Sequence, residues 1–216
     1  MAMSGDLGST GRFRSTVGHY LVGRPPYADL LIQRVAALTG LGLKHRVLDL
    51  GCGPGQLARA FAPLVRDVVA MDPEAEMLRV AAEASAGADN VTFVRGGSAD
   101  LPAGLGQFHL VVMGRSFHWM DRAATLRVLD GMIAPNGVVA LFDTKHAAVP
   151  ENDWVAQYDA VRRRYAGDDP RRPQRAVEAW IMHKAFLLDS PFCCVEASAV
   201  FERRTVEAVR LIDRAL

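Results

Sequence analysis

Residues 47–58 read VLDLGCGPGQLA. An apolar run ends in three glycines at alternate positions, Gly51, Gly53 and Gly55, and Asp49 lies inside the run. A glycine turn between a strand and a helix presents backbone N–H groups and a helix N-terminus to a ligand. A dinucleotide turn requires G-x-G-x-x-G, but Gln56 stands where its third glycine belongs. The Walker pattern is also absent, because no Gly-Lys-Ser/Thr follows the turn. A carboxylate at the mouth of the turn repels a pyrophosphate and attracts a cation. At about 4 Å and an effective dielectric of about 20, that difference is roughly 4 kcal/mol either way. The pattern therefore selects a nucleoside that carries positive charge and no phosphate.

Outward from this turn, short apolar runs alternate with helical periodicity. The predicted strands are 46–50, 67–72, 91–96, 108–114 and 137–143, with helices over 27–41, 56–64, 74–85 and 121–133. Pro135-Asn136-Gly137 is the expected turn into the fifth strand. Strands apolar on both faces and separated by helices predict an α/β fold with a doubly wound, mainly parallel Rossmann-like sheet. Its ligand belongs beyond the carboxyl ends of the strands, where strand order reverses. The alternation stops after Phe142. Residues 150–190 read as two helices of a cap, 193–204 as a strand containing buried Cys193 and Cys194, and the remainder as a helix.

The chain has 216 residues, half of them hydrophobic, enough for one α/β domain with a full core. Its 25 basic and 24 acidic residues leave a formal charge of +1, without the single-sign field of a nucleic-acid or membrane binder. Three cysteines with no metal-ligand spacing, no apolar leader and no long apolar span fit a cytoplasmic protein without a metal site. The arginines of 162–165 and 168–175 read as a solvated helix face, or as one residue gripping a substrate carboxylate.

S-adenosylmethionine, with its ammonium and sulfonium, meets the requirement set by Asp49. VLDLGCGPGQLA resembles the first motif of the class I S-adenosylmethionine-dependent methyltransferases, and further matches follow in order. VVAMDPEAEML (68–78) resembles the second strand, whose terminal acid holds the ribose hydroxyls. GGSADLP (96–102) resembles the segment that receives the adenine amino group. SFHWMD (116–121) and HYLVGRPPYADLL (19–31) resemble segments of the small-molecule group typified by trans-aconitate and ubiquinone-biosynthesis methyltransferases. The resemblance implies cofactor contacts at Asp49, Gly51, Cys52, Gly53, Gly55 and Gln56 in the first motif and at Asp72, Pro73 and Met77 in the second. It further implies Ser98, Ala99 and Asp100, then Arg115, Ser116, His118 and Trp119 after the fourth strand, and Tyr20 and Arg24 in the N-terminal segment.

Each assignment has a plainer rival. Asp49 is either a cation contact or a core carboxylate bonded to backbone amides. Asp72 either binds ribose or caps the next helix, and Asp100 either meets adenine or caps a turn. His118 is either a general base or, with Trp119, the floor of the pocket. Tyr20 and Arg24 either close the site or pack on the surface. The chain is expected to divide into a flexible stretch at 1–15, a cofactor-binding core with an N-terminal lid helix at 16–145, a helical cap at 146–192 and a strand and helix completing the core at 193–216. A last antiparallel strand, usual in the family, falls beyond the sequence, so the expected sheet lacks it. The expected activity is methyl transfer to a small molecule by a monomer or homodimer, without nucleic acid or membrane as partner. The alternatives on the same fold are non-methyl chemistry on bound S-adenosylmethionine and a non-catalytic regulatory subunit.

Overall fold

The computed structural model describes residues 25–165, 183–192, 194–207 and 211. Five parallel strands form one sheet: β1 (Arg46–Leu50), β2 (Asp67–Asp72), β3 (Val91–Arg95), β4 (Phe108–Gly114) and β5 (Ile133–Phe142). Their spatial order is β3-β2-β1-β4-β5. Val47, Leu48 and Asp49 pair with Leu110, Val111 and Val112 of β4 on one side, while Arg46–Leu50 pair with Asp67–Met71 of β2 on the other. Strand order therefore reverses between β1 and β4, the position where a doubly wound sheet opens a crevice at its carboxyl edge.

The apolar runs become strands because both faces are covered. On one face Val47, Val68, Leu110 and Val112 pack with Leu57, Ala58 and Phe61 of α2 (Gln56–Phe61) and with Ile32 of α1 (Asp29–Leu38). On the other, Leu48, Leu50, Val111 and Met113 pack with Leu126 and Leu129 of α4 (Arg122–Asp130). α3 (Ala75–Ala84) buries Met77 and Ala81, and Glu76, Arg79 and Glu83 form ion pairs on its outer side. Asp121 caps α4, its carboxylate accepting from the Ala124 N–H at 2.9 Å.

Three expectations need correction. The helical spacing of Leu30, Leu31, Val35 and Leu38 suggests an amphipathic first helix, but Leu30 and Leu38 are 60 % and 52 % exposed, while Leu31 and Val35 pack on the core beside buried Ile32. Pro135-Asn136-Gly137 lies inside β5 rather than before it. Phe108 pairs with Ile133 and Leu110 with Val138, so an irregularity absorbs the extra residues while the ladder continues on both sides. Residues 194–204 carry no strand, and Cys194 is exposed rather than buried.

The described parts of the expected cap are α5 (Trp154–Tyr165) and α6 (His183–Leu188). Phe186 and Leu187 pack against the core face that holds Leu126, and the Arg122 guanidinium lies 4.1 Å from the centre of the Phe186 ring. Tyr20, Arg24, the arginines of 168–175, Cys193 and most of the expected last helix lie outside the described residues. No helix among the described residues is long and apolar enough to cross a membrane.

Candidate functional site

The glycine turn leaves the end of β1 and is tied to β2. The N–H groups of Gly51 and Cys52 both donate to the Met71 carbonyl, at 2.8 and 3.0 Å. Gly51 has φ of 70°, and a Cβ there would lie 2.5 Å from the Ser116 Cβ. Only glycine allows that approach. Ser116 in turn donates to the Leu50 carbonyl at 2.8 Å, fastening the end of β4 to the end of β1. Gly53, at φ of 51°, differs: nothing lies within 4 Å of a Cβ built on it. The turn is packed from beneath at Gly51 and open above at Gly53. Gly55 caps α2 in the left-handed region and packs toward Ala81.

Two carboxylates fix this turn. Asp49, 1 % exposed, accepts from the Ala58 N–H in the first turn of α2 at 2.9 Å. Burial pushes its carboxyl up to about 7, with the Asp72 charge adding to the rise while the Ala58 N–H and Arg59 oppose it. Asp72, 7 % exposed, accepts from Gly53 N–H at 2.8 Å and from Glu74 N–H at 2.9 Å. Its pKa is also raised by burial, held back by those two amides. Burial, with the Asp49 and Asp72 charges adding to it, holds the Cys52 thiol well above its ordinary value. Asp49 thus bonds a backbone amide as its plainer reading has it, whereas Asp72 bonds amides of the turn and of Glu74 without capping α3, whose N-cap Glu74 has no side-chain cap bond. Each oxygen still has acceptor capacity beyond these bonds.

A cleft of about 260 Å³, including its open mouth, lies over the β1–β4 switch point. Asp49, Gly51, Cys52 and Gln56 line it from the first motif, facing Gly114 and Arg115 at the end of β4 and Tyr27 before α1. Arg115, at φ of 57°, donates through Nη2 to Gln56 Oε1 at 2.7 Å and through Nη1 to Thr144 Oγ1 at 3.3 Å. Its guanidinium carbon lies 4.7 Å from the centre of the Tyr27 ring.

The remaining predicted residues are not among those lining this cleft. Pro73 is exposed beside Asp72, and Met77 is buried in the first turn of α3. Ser98, Ala99 and Asp100 form a short 3-10 turn after β3, where Asp100 accepts from Gly97 N–H at 2.7 Å and is exposed. His118 and Trp119 stand in another 3-10 turn after β4, their rings 4.8 Å apart, with Phe117 buried beneath.

Sequence reasoning overlooked Tyr27 as a cleft wall, Thr144 as an anchor for Arg115, and His183. The His183 ring, carried on α6, lies 6.4 Å from that of His118 and 5.2 Å from that of Phe117. Burial and the Arg122 and Lys145 charges lower its pKa, opposed by Asp143. Tyr27 lay within a quoted motif and was legible in principle. Thr144 and His183 carry no local pattern, since only the folded chain brings them to the strand ends.

Comparison with known proteins gives the same picture. Residues 47–137 match the family described as the methyltransferase domain. An uncharacterized methyltransferase of Mycobacterium tuberculosis, Rv3342, is 27 % identical over 213 residues, covering 92 % of this chain and 84 % of that protein. The tRNA 5-carboxymethoxyuridine methyltransferase of Escherichia coli is 31 % identical over 157 residues, covering 64 % of this chain and 58 % of that one. Among solved structures, the DhpI-SAM-HEP complex is 27 % identical with a TM-score of 0.51, covering 68 % of this chain and 67 % of that one. The YcgJ protein of Bacillus subtilis is 25 % identical with a TM-score of 0.50, covering 62 % and 59 %. With the five-stranded order, the glycine turn and its two acids, these matches show a methyltransferase domain at residues 47–137 on the fold of the class I S-adenosylmethionine-dependent methyltransferases.

Proposed function

We propose that the protein transfers a methyl group from S-adenosylmethionine to a small-molecule acceptor, and that the cleft over β1 and β4 holds the donor. The observation that carries this reading is the open space above Gly53 beside Asp72, at the point where strand order reverses. A Cβ at Gly53 would project into that open space. The donor set fits: acceptor oxygens for ribose on Asp72, a buried carboxylate for a cation at Asp49, and Asp100 for the adenine amino group. Gly51, Cys52, Gly55, Gln56, Pro73, Met77, Ser98 and Ala99 frame the same ligand.

When bound, the sulfonium supplies a methyl group already attached to a good leaving group. The chain's task is then to position an acceptor in line and exclude water. His118 and Trp119 form the floor on the acceptor side, over the ends of β4 and β5. His183, held neutral above its lowered pKa, is available there to accept a proton where the acceptor must lose one. Residues 146–192 act as the cap that selects the acceptor, because loop-borne segments over a fixed scaffold tend to carry specificity. A net charge of +1 favours a small molecule over a nucleic acid.

The test is incubation with methyl-labelled S-adenosylmethionine and either a metabolite extract or bulk tRNA. The reading predicts label in the small-molecule fraction with matching release of S-adenosylhomocysteine. Label found only in tRNA would overturn the acceptor class.

A further inference from the structure

Two histidines meet at the end of the sheet opposite the glycine turn, where α1 connects to β1. His45 stands just before β1, and His109 is the second residue of β4. Their rings are stacked, with centroids 3.8 Å apart and planes 8° from parallel. Each ring also holds the connection between α1 and β1. His109 Nε2 lies 2.7 Å from the Thr39 carbonyl at the end of α1. A carbonyl only accepts, so this Nε2 carries a proton and donates it. His45 Nδ1 accepts from the Gly42 N–H at 3.1 Å, while the His45 N–H donates to the Gly42 carbonyl at 2.9 Å. Nδ1 must therefore present a lone pair, and this turn closes only around a neutral His45.

The two rings respond differently to a proton. Added to His109 at Nδ1, it leaves the bond to Thr39 in place. Added to His45 at Nδ1, it removes the acceptor of the Gly42 amide and sets a cation against the facing ring. The charged groups around the stack are Lys44 in the same turn, Arg46 on β1, and Arg66 and Asp67 at the start of β2. Arg46 and Arg66 both engage the Asp67 carboxylate, at 2.8 and 2.7 Å. Burial, with His109 and Lys44 adding to it, holds His45 below the ordinary imidazole value of 6.5. We propose that the His45–His109 stack is an acid-sensitive latch, in which a proton on His45 releases Gly42 and frees residues 39–45 while the sheet stays intact. Leu41 packs against the core from this connection, between exposed Leu38 and Leu43, so an open latch presents an apolar segment to solvent. The latch is fully stable above the ordinary imidazole pKa. It weakens as pH falls below that value, because the released segment takes up the proton first. None of this depends on what the cleft over β1 and β4 binds.

Histidine side-chain NMR titration, combined with amide hydrogen exchange on the full chain, tests it. His45 should titrate below free imidazole. After correction for intrinsic exchange rates, protection of the Gly42 amide should fall about tenfold between about pH 7.5 and about pH 5.5. That is the most that one unit below the ordinary pKa allows, and the amides of β1 should keep their protection. His45→Asn keeps an oxygen for the Gly42 N–H without titrating, so its Gly42 protection should stay within about twofold over the same range. His109→Gln keeps a donor for Thr39 and removes the facing ring, so the His45 titration and the fall in Gly42 protection should both move to higher pH. A His45 midpoint at or above the ordinary value would overturn the proposal. Gly42 protection that ignores pH in the unmodified protein, or that falls equally in His45→Asn, would do the same. An equal loss in β1 would make the event general acid unfolding and also overturn it. If either variant does not fold, titration and exchange on the unmodified protein decide.

Discussion

Asp49 carries a charge that the fold disfavours and the ligand should favour. Its carboxyl, raised by burial to about 7, stays protonated in the folded protein over a range where the unfolded chain has already ionised. A raised carboxylate contributes stability that is full below the unfolded pKa and lost as pH rises through the folded one. The window runs from about pH 4 to pH 7, and the full shift corresponds to an order of magnitude of about 4 kcal/mol. Asp72, shifted upward for the same reason, adds to the slope. Asp49→Asn keeps an oxygen for the Ala58 N–H and removes the ionisation. The variant should match the native protein near pH 4, become the more stable of the two by pH 8, and bind S-adenosylhomocysteine more weakly. Urea unfolding at the two pH values checks the first part. A constant difference across that range would mean that Asp49 does not titrate there. A cationic ligand should also hold Asp49 ionised, so binding at pH 6.5 should release protons. Calorimetry in buffers of different ionisation heat reads this, and equal apparent enthalpies in all buffers would exclude the linkage. Sequence alone identified the pairing of Asp49 with the glycine turn, but not that the Ala58 amide already occupies one oxygen. That bond depends on how α2 starts, which no residue count specifies.

The glycine turn gives a sharp contrast between neighbours. Gly51→Ala should cost about 2–5 kcal/mol, because a Cβ meets Ser116 and the left-handed backbone is strained. Gly53→Ala bears only the backbone strain, roughly 1–2 kcal/mol, since nothing lies near its Cβ. It should instead lose cofactor affinity by projecting a methyl group into the open space above the turn. Thermal melts and binding isotherms on both variants separate the two effects, and normal affinity in Gly53→Ala would place the ligand elsewhere. The bounds of β1, β2 and β4 were legible because each is a continuous apolar run closed by turn residues and buried on both faces. β5 was legible only from Gly137 onward, because Pro135 and Asn136 mark a turn whether it precedes a strand or interrupts one. The segment 194–204 fails for a different reason. Its composition is compatible with a strand, but a strand requires a paired edge, and pairing is decided by distant residues.

At the scale of the whole molecule, the sheet order brings together parts of the chain that share no local signal. Gln56, Arg115 and Thr144 lie far apart in sequence and meet across the carboxyl ends of β1, β4 and β5. His118 and His183 likewise meet only because α6 docks beside α4. The motifs therefore placed His118 and Trp119 after β4, and topology alone brings His183 beside them. The central claim is that this assembled cleft is built for a positively charged nucleoside without phosphates. Calorimetric titration of the protein with S-adenosylmethionine, S-adenosylhomocysteine and NAD tests it directly. The account predicts micromolar binding of the first two and none of NAD, whereas clear binding of NAD with no heat from either adenosyl compound would contradict it.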